Sequence, residues 1–389
     1  MSNRPLQGVK VLDFSRVVAG PYATRLMSDL GADVLKIEPP EGDLTRKLGP
    51  KTAGASGYYI QQNIGKRNIC VDLRAEGARD LILKLAEQSD VVVENFRPGI
   101  MDKFGIGWDA LREINPRLVM VSISGFGQSG PERGRAAYAP IVHAEAGLLS
   151  RQADFSGGAA DIQMSVADTF SSLHGLIGLL AALRVAEQTG VGQHVDVAMI
   201  AALHSSDDYA PWALDQGWPK PAENVIWDAP EGQRILISGD MRWIWHLLST
   251  KVGVADPTPE GADLSTKIKL RRETIETWIR TQPDFETLST KLDELNLAWG
   301  RVRSFGADGY SQQTVVEDGI VVEIEDDAGE TRQTIQSPYR FSHSNSGIDS
   351  NSRAPGQGEH NVSALEDWLG WDSVKVGALE DAGILLKKL

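Results

Sequence analysis

One acidic residue stands where it could do covalent chemistry. Asp168 immediately precedes Thr169–Glu187, an apolar stretch with the composition of a largely buried helix. In that place a carboxylate can be an N-cap, which accepts hydrogen bonds from the free N–H groups of the first turn. The same place suits a nucleophile, because a helix N-terminus stabilises negative charge and its N–H groups can bind an oxyanion. A carboxylate attacks an activated acyl group such as a thioester without a strong base. The residues themselves leave both interpretations open.

Other patterns with catalytic meaning are weak. Gly125–Gly130 matches G-x-G-x-x-G, but Pro131 and Gly134 follow it where a dinucleotide site needs a helix. The seven histidines are scattered, and neither H-E-x-x-H nor G-x-S-x-G occurs. The single cysteine, Cys70, lies in a strand-like run and excludes an internal disulfide. We therefore expect neither a metal site nor a prosthetic group.

The elements that must position Asp168 alternate in type over the first 125 residues. Five short apolar runs predict strands, at Val9–Phe14, Asp33–Ile37, Asn68–Leu73, Val91–Glu94 and Leu118–Ser122. Amphipathic stretches between them predict helices, at Tyr22–Leu30, Glu76–Glu87 and Trp108–Ile114. This alternation indicates an α/β fold with a Rossmann-like open parallel sheet. Further along, Ala136–Leu149 is expected to be helical and His194–Val197 to be a strand.

A second, smaller domain of α+β type is expected over residues 225–330. Prolines and tryptophans near 210–230 indicate an irregular crossing into it. A strand at Arg234–Ser238 and helices at Ile244–Lys251, Leu270–Arg280 and Phe285–Leu295 follow. Asp327-Ala328-Gly329 is typical of a hairpin turn, and a closing helix is expected at Ala364–Leu369.

The charge is unevenly distributed. The formal net charge is −14, of which residues 1–150 contribute +2 and residues 151–389 contribute −16. An acidic chain is a poor ligand for nucleic acid or for an anionic membrane. Its longest strongly apolar run, Leu176–Ala182, is shorter than the roughly 20 residues of a membrane span. Met1–Gln7 is polar and has no apolar signal segment. We expect a cytoplasmic protein whose N-terminal part tolerates an anionic ligand.

Several motifs in order along most of the chain together resemble the class III CoA-transferases, the family of formyl-CoA transferase and the carnitine CoA-transferases. They are Gly8–Val17, Ala19–Pro21, Asp29–Glu38, Gly65–Ile69, Val92–Gly99, Asn115–Leu118, Ser122–Gly127, Thr189–Gln193 and Gly358–His360. The resemblance implies an enzyme that moves CoA between an acyl-CoA and a carboxylic acid. It also implies an interlocked, ring-like homodimer. In each subunit the large domain consists of residues 1–210 together with residues 335–389, which return to it.

The resemblance assigns the family's aspartyl nucleophile to Asp168, with a mixed anhydride and an aspartyl-CoA thioester as intermediates. Coenzyme A and acyl-CoA are then substrates. The implied CoA contacts are Val18, Ala19, Val71, Asp72, Leu73, Arg74, Asn95, Phe96, Arg97, Lys103, Arg135 and Tyr138, with the intervening residues 136 and 137. Of these, Arg74, Arg97 and Lys103 are the natural phosphate partners.

Departures from the family pattern bear on the substrate. Formyl-CoA transferase has glutamine where Val18 stands and arginine where Pro39 stands, and its glycine-rich loop is not found here. Formate and oxalate are therefore disfavoured, and a larger or more apolar acyl group is expected.

Two other functions stay open. An α-methylacyl-CoA racemase shares the motifs but has a histidine base where Tyr138 stands, and a tyrosine with a pKa near 10 is a poorer proton acceptor. The second open function is that of a non-catalytic CoA-binding protein. The presence of Asp168 in its motif argues against this function.

Overall fold

The computed structural model describes residues 3–49, 51–52, 55–156, 158, 160–215, 225–325, 331–349 and 352–387. The chain divides into two compact units. The large unit comprises Met1–Ala210 and Val315–Leu389, and the small unit comprises Pro211–Thr314.

The N-terminal part of the large unit alternates strands and helices, as the sequence predicts. Its strands are β1 (Lys10–Asp13), β2 (Asp33–Glu38), β3 (Lys51–Thr52), β4 (Ala55–Ser56), β5 (Arg67–Cys70), β6 (Val91–Glu94), β7 (Val119–Ser124) and β8 (His194–Ala198). Its helices are α1 (Ala19–Asp29), α2 (Gly57–Asn63), α3 (Ala78–Glu87), α4 (Ile100–Lys103), α5 (Trp108–Ile114), α6 (Ala139–Glu145), α7 (Leu148–Ser156), α8 (Val166–Thr189) and α9 (Met199–Ser205). A short 3₁₀ helix spans Leu44–Lys47.

Six of these strands form one sheet in the order β5-β2-β1-β6-β7-β8. Each neighbouring pair is parallel, so the expected open parallel sheet is confirmed. Helices cover both faces, which explains why successive residues in these strands are both apolar, as in Val91–Val93 of β6. In β1, for example, Val11 belongs to the core under α1 and α8, whereas Leu12 belongs to the core under α3 and α5.

The helix expected over Ala136–Leu149 is in fact two helices. α6 ends at Glu145 and α7 begins at Leu148. Gly147 between them has a φ of 77°, a left-handed conformation that glycine adopts without strain and that ends a helix.

Among the described residues, one helix is long and apolar enough to cross a membrane, namely α8. The uninterrupted apolar run Leu176–Ala182 is only part of this helix, so the run alone does not indicate its length. In the structure α8 packs against α1, β7, β8 and α9. Its residues Leu176 and Leu179 are buried in the core beside Val121, as expected for the central helix of an α/β layer.

The small unit contains a three-stranded antiparallel sheet in the order β11-β10-β9. Its strands are β9 (Ile226–Asp228), β10 (Arg234–Ser238) and β11 (Ala298–Arg301). Its helices are α10 (Ala210–Asp215), which begins one residue before the boundary, α11 (Met241–Leu247), α12 (Leu264–Arg280), α13 (Phe285–Glu294) and α14 (Ala307–Tyr310), with a 3₁₀ turn at Pro230–Gly232 and a π-helical turn at Leu248–Val252. Its core includes Trp227, Ile235, Ile275 and Leu288. Part of the expected crossing, residues 216–224, lies outside the described residues.

The chain then returns to the large unit through α15 (Gln313–Glu317), β12 (Val321–Glu325), β13 (Thr331–Ile335), α16 (Asn361–Leu369) and α17 (Ser373–Asp381). β12 and β13 pair antiparallel, and the expected Asp327–Gly329 turn lies outside the described residues. Residues 315–330 are expected in the smaller domain, but Ile324 packs in a core cluster with Tyr59 and Ile60 of α2. This contact accounts for the placement of the hairpin in the large unit.

Candidate active site

A cavity of about 410 Å³ lies at the carboxyl end of the parallel sheet. It is lined by the segments that follow β1, β6 and β7, by part of the β2–β3 connection, and by the beginnings of α8 and α9. The strand order reverses between β1 and β6. Open α/β sheets bind their ligands in the crevice at such a reversal, so the place of the cavity follows from the topology.

Asp168 lines this cavity from the first turn of α8. The interpretation of Asp168 as an N-cap is wrong, because the helix begins at Val166 and Ser165 occupies the N-cap position. The helix begins three residues earlier than the apolar pattern suggests, with the Thr169 N–H donating to the Ser165 carbonyl at 2.9 Å.

The carboxylate of Asp168 is nearly buried, with 9% of the residue exposed, and it accepts no hydrogen bond from any residue that the structure describes. Burial raises its pKa to about 6. At neutral pH the group is therefore mostly an unpaired carboxylate on the cavity wall. An unpaired buried charge destabilises a fold, and such groups concentrate at functional sites.

Most of the contact residues expected from the sequence share this cavity with Asp168. They are Val18, Ala19, Asn95, Phe96, Arg97, Arg135 and Tyr138. The Asn95 side chain joins two of the loops, since it accepts from the Arg16 N–H and donates to the Arg16 carbonyl, both at 2.8 Å.

Another five expected residues lie outside the cavity lining, namely Val71, Asp72, Leu73, Arg74 and Lys103. The Val71 side chain is fully buried in the core. Arg74 binds Asp72 at 2.7 Å and Glu41, itself a lining residue, at 3.0 Å. Lys103 is the exposed last residue of α4.

Two further cations line the cavity that are not among the residues expected from the sequence, Arg16 and Lys47. The guanidinium of Arg16 stacks over the Phe96 ring, 4.9 Å from its centre. Neither cation, nor Arg97, forms an ion pair with a described residue, whereas Arg135 is paired with both Glu132 and Glu145. Arg16 could have been found from its place three residues after the end of β1, at the carboxyl edge of a parallel sheet.

The segment that carries Val18 is held in an unusual conformation. Val17 has a φ of 69°, which is unfavourable for a β-branched residue. The backbone nitrogen of Val17 lies 3.4 Å from each carboxylate oxygen of the buried Asp43. Strain of this kind persists only where the surroundings hold it in place.

No group of three or more His, Cys, Asp or Glu residues in the described ranges is arranged to hold a metal ion.

Comparison with known proteins assigns the family. Residues 6–361 match CoA-transferase family III. The chain is 32% identical to a formyl-CoA:oxalate CoA-transferase of Streptomyces avermitilis, over 98% of this chain and 100% of that protein. It is 31% identical to a succinyl-CoA:mesaconate CoA-transferase of Haloarcula hispanica, over 93% and 96% of the two chains. The solved structure of a CAIB/BAIF family protein from Brucella suis superposes with a TM-score of 0.79 at 30% identity, covering 94% of this chain and 99% of that one. The resemblance read from the motifs is thus confirmed, and the chain belongs to CoA-transferase family III and is an enzyme of that family.

Proposed function

We propose that this enzyme transfers CoA from an acyl-CoA to a carboxylic acid, with Asp168 as the nucleophile. The observation that carries the proposal is the unpaired carboxylate of Asp168 on the wall of a cavity that also presents Arg16, Lys47 and Arg97. A thioester is an activated acyl donor, so a carboxylate free of hydrogen bonds can attack it. The cations supply the positive charge and the hydrogen-bond donors that bind the phosphate groups of CoA.

The reaction proceeds in four covalent steps. The Asp168 carboxylate attacks the thioester carbonyl, which forms a mixed anhydride and releases CoA as its thiolate. The thiolate attacks the aspartyl carbonyl of the anhydride, which forms an aspartyl-CoA thioester and releases the donor acid. An acceptor carboxylate then attacks the aspartyl thioester and again expels the thiolate. Finally the thiolate attacks the acyl carbonyl of the new anhydride, which releases the new acyl-CoA and regenerates Asp168.

For CoA binding we assign the phosphate groups first to Arg97 and Arg16. Both are lining cations without an ion pair among the described residues, so neither must break one to accept a phosphate. Arg74 is assigned to the rim, because its guanidinium already contacts the lining residue Glu41. Lys103 lies outside the cavity lining, and no role is assigned to it.

The acyl group is proposed to be larger or more apolar than formyl. The apolar side chains that line the same cavity as Asp168 include those of Val18, Ile123 and Met199. A panel of acyl-CoA donors and acids, followed by mass spectrometry, tests the assignment. Preference for formyl-CoA with oxalate, as in the name of the Streptomyces relative, would contradict it.

The assembly is proposed to be a homodimer of interlocked rings, as the family resemblance implies. The apolar helix α8 leaves Ile177 65% exposed, which is consistent with cover by a second chain. The expected solution mass is about 85 kDa, twice the 42.3 kDa of one chain. Two differently tagged homodimers should not exchange subunits until they are unfolded. Ready exchange would contradict the interlocking.

Trapping tests the nucleophile. The enzyme is incubated with acyl-CoA, reduced with borohydride and digested, and the modified residue is identified by mass spectrometry. Modification at Asp168 is expected in the wild type and in Asp109→Asn, a surface control, and transferase activity is expected to be lost in Asp168→Ala. Full activity of Asp168→Ala, together with the absence of an adduct at Asp168 in the wild type, would contradict the proposal. Deuterium uptake at the α-carbon without acyl exchange would favour a racemase.

A further inference from the structure

The first turn of α8 is held by a histidine from another helix. The side chain of His143, in α6, is 1% exposed, and its Nε2 accepts the Ala167 N–H at 3.1 Å. Ser165 at the N-cap position makes no side-chain hydrogen bond to the turn. His143 therefore accepts a free backbone N–H of the first turn, as an N-cap side chain does in other helices. The residue that donates this N–H, Ala167, is next to Asp168 in the sequence.

The two ring nitrogens of His143 have defined roles. Because the Ala167 N–H is a donor, Nε2 must present its lone pair, and the proton of the neutral ring must lie on Nδ1. Nδ1 is 2.9 Å from Oδ1 of Asp161, which accepts that proton. The same oxygen accepts the Ile162 N–H at 2.9 Å, which fixes the carboxylate in turn.

We infer that His143 and Asp161 are positioning residues that orient the first turn of α8 so that the Asp168 carboxylate faces the cavity. The inference rests on the proposed role of Asp168 as nucleophile. Tyr138, a lining residue, immediately precedes α6. The hydrogen bond from Ala167 to His143 thus fixes two walls of the cavity relative to each other, and small displacements of a reacting group reduce rates strongly.

Two matched variants separate positioning from simple stabilisation. In His143→Gln the side-chain oxygen reaches the place of Nε2 and can accept the Ala167 N–H. In His143→Asn the amide occupies the place of Nδ1, so it can still donate to Asp161 but cannot reach Ala167. Both variants remove the ring, so a similar fall in melting temperature is expected for both.

Asp161 gives a second pair of variants that leaves the buried ring in place. Asp161→Asn keeps an oxygen that accepts the Nδ1 proton, whereas Asp161→Ala does not. For all four variants and the wild type, kcat, the KM for acyl-CoA and the rate of Asp168 modification are measured.

The expected result is a fall in kcat and in the modification rate of about 10- to 100-fold in His143→Asn, with KM within about 2-fold of the wild type. His143→Gln and Asp161→Asn should stay within about 3-fold of the wild type, and Asp161→Ala should fall in the same direction as His143→Asn. Equal kcat values within each pair, or a loss confined to KM, would overturn the inference while the proposed function stands. Active wild-type enzyme without modification at Asp168 would overturn both.

Discussion

The ammonium group of Lys66 and the carboxylate of Asp13 lie 2.9 Å apart, and both side chains are fully buried. Lys66 also donates to the Pro21 carbonyl at 3.0 Å, and Asp13 accepts the Ser15 N–H at 3.0 Å. The pair therefore holds both ends of the segment that carries Val18 and Ala19 on the cavity wall. Burial alone would raise the pKa of Asp13, but the charges of Lys66 and Lys36 bring it down to about 2.

Replacing Lys66 by methionine should strongly destabilise the large unit. The variant leaves the Asp13 carboxylate buried without its main counter-charge, and breaking a buried pair in this way costs about 3–5 kcal/mol. Denaturant unfolding measures the change. Lys84→Met, which alters an exposed lysine of α3, is the control and should change stability by less than about 0.5 kcal/mol.

Replacing Asp168 by asparagine should stabilise the fold at neutral pH. The pKa of Asp168 is raised by burial from 3.8 to about 6. Between these two pKa values the folded state keeps a proton that the unfolded chain has lost. The free energy of unfolding therefore falls as the pH rises from about 4 to 6, and the full loss of stability is reached above pH 6. The gain in Asp168→Asn should be on the order of 2–3 kcal/mol at pH 7.5 and close to zero at pH 3.5. Equal gains at both pH values would contradict this account.

Transfer activity should depend on the ionisation of the same group. The nucleophile must be a carboxylate, so kcat/KM for acyl-CoA should fall about tenfold per pH unit below a pKa of about 6. The profile is measured over the range in which the fold is stable. A flat profile down to pH 4.5 would show that this ionisation does not limit the reaction.

Arg97 should matter for CoA binding more than Arg135. Arg97 is a lining cation without an ion pair among the described residues, whereas Arg135 is already bound to Glu132 and Glu145. Charge-assisted hydrogen bonds contribute about 1.5–3 kcal/mol, so Arg97→Ala should raise the KM for acyl-CoA about 10- to 100-fold. The surface variant Arg112→Ala should leave KM unchanged. A larger effect of Arg135→Ala would reverse the assignment.

Glu94 is a second buried carboxyl group with a raised pKa. Its Oε2 accepts the Phe96 N–H at 2.7 Å, and burial raises its pKa from 4.5 to about 7. By the same linkage the fold loses stability as the pH rises from about 4.5 to 7. Glu94→Gln keeps an oxygen for the Phe96 N–H, so it should be more stable than the wild type above pH 7 and not below pH 4.5. Thermal unfolding at pH 4.5 and 8 measures this, with exposed Glu87→Gln as the pH-independent control.

The sheet could be predicted because its signals are local. Strands covered on both faces are apolar at nearly every position, and this composition indicates β6 and β7 within two residues of their ends. The bounds of α5 and β10 are those expected. The start of α8 was missed, since the side chain that accepts the Ala167 N–H comes from His143, 24 residues away in the sequence.

Val18 and Asn95 were expected from the family resemblance of the motifs that contain them, and both line the cavity. Lys47 was not expected, because a lysine outside a strand or motif looks the same whether it faces solvent or a cavity. The pair of Asp13 and Lys66 spans 53 residues. No pattern in either neighbourhood indicates that the two charges meet in the interior.

The return of the chain to the large unit has a consequence for biosynthesis. Val71, which directly follows β5, forms a bridge to Leu385, and the core beneath α3 is completed by Leu365 and Trp368 of α16. A ribosome adding about 5–20 residues per second needs roughly 10–40 s to make the chain that follows Ala210. During that time the nascent sheet has apolar surface that its own sequence cannot yet cover. The lining residues that the structure describes, from Arg16 to Met199, have all been made by then, so the C-terminal part of the chain adds its support after the lining has been synthesised.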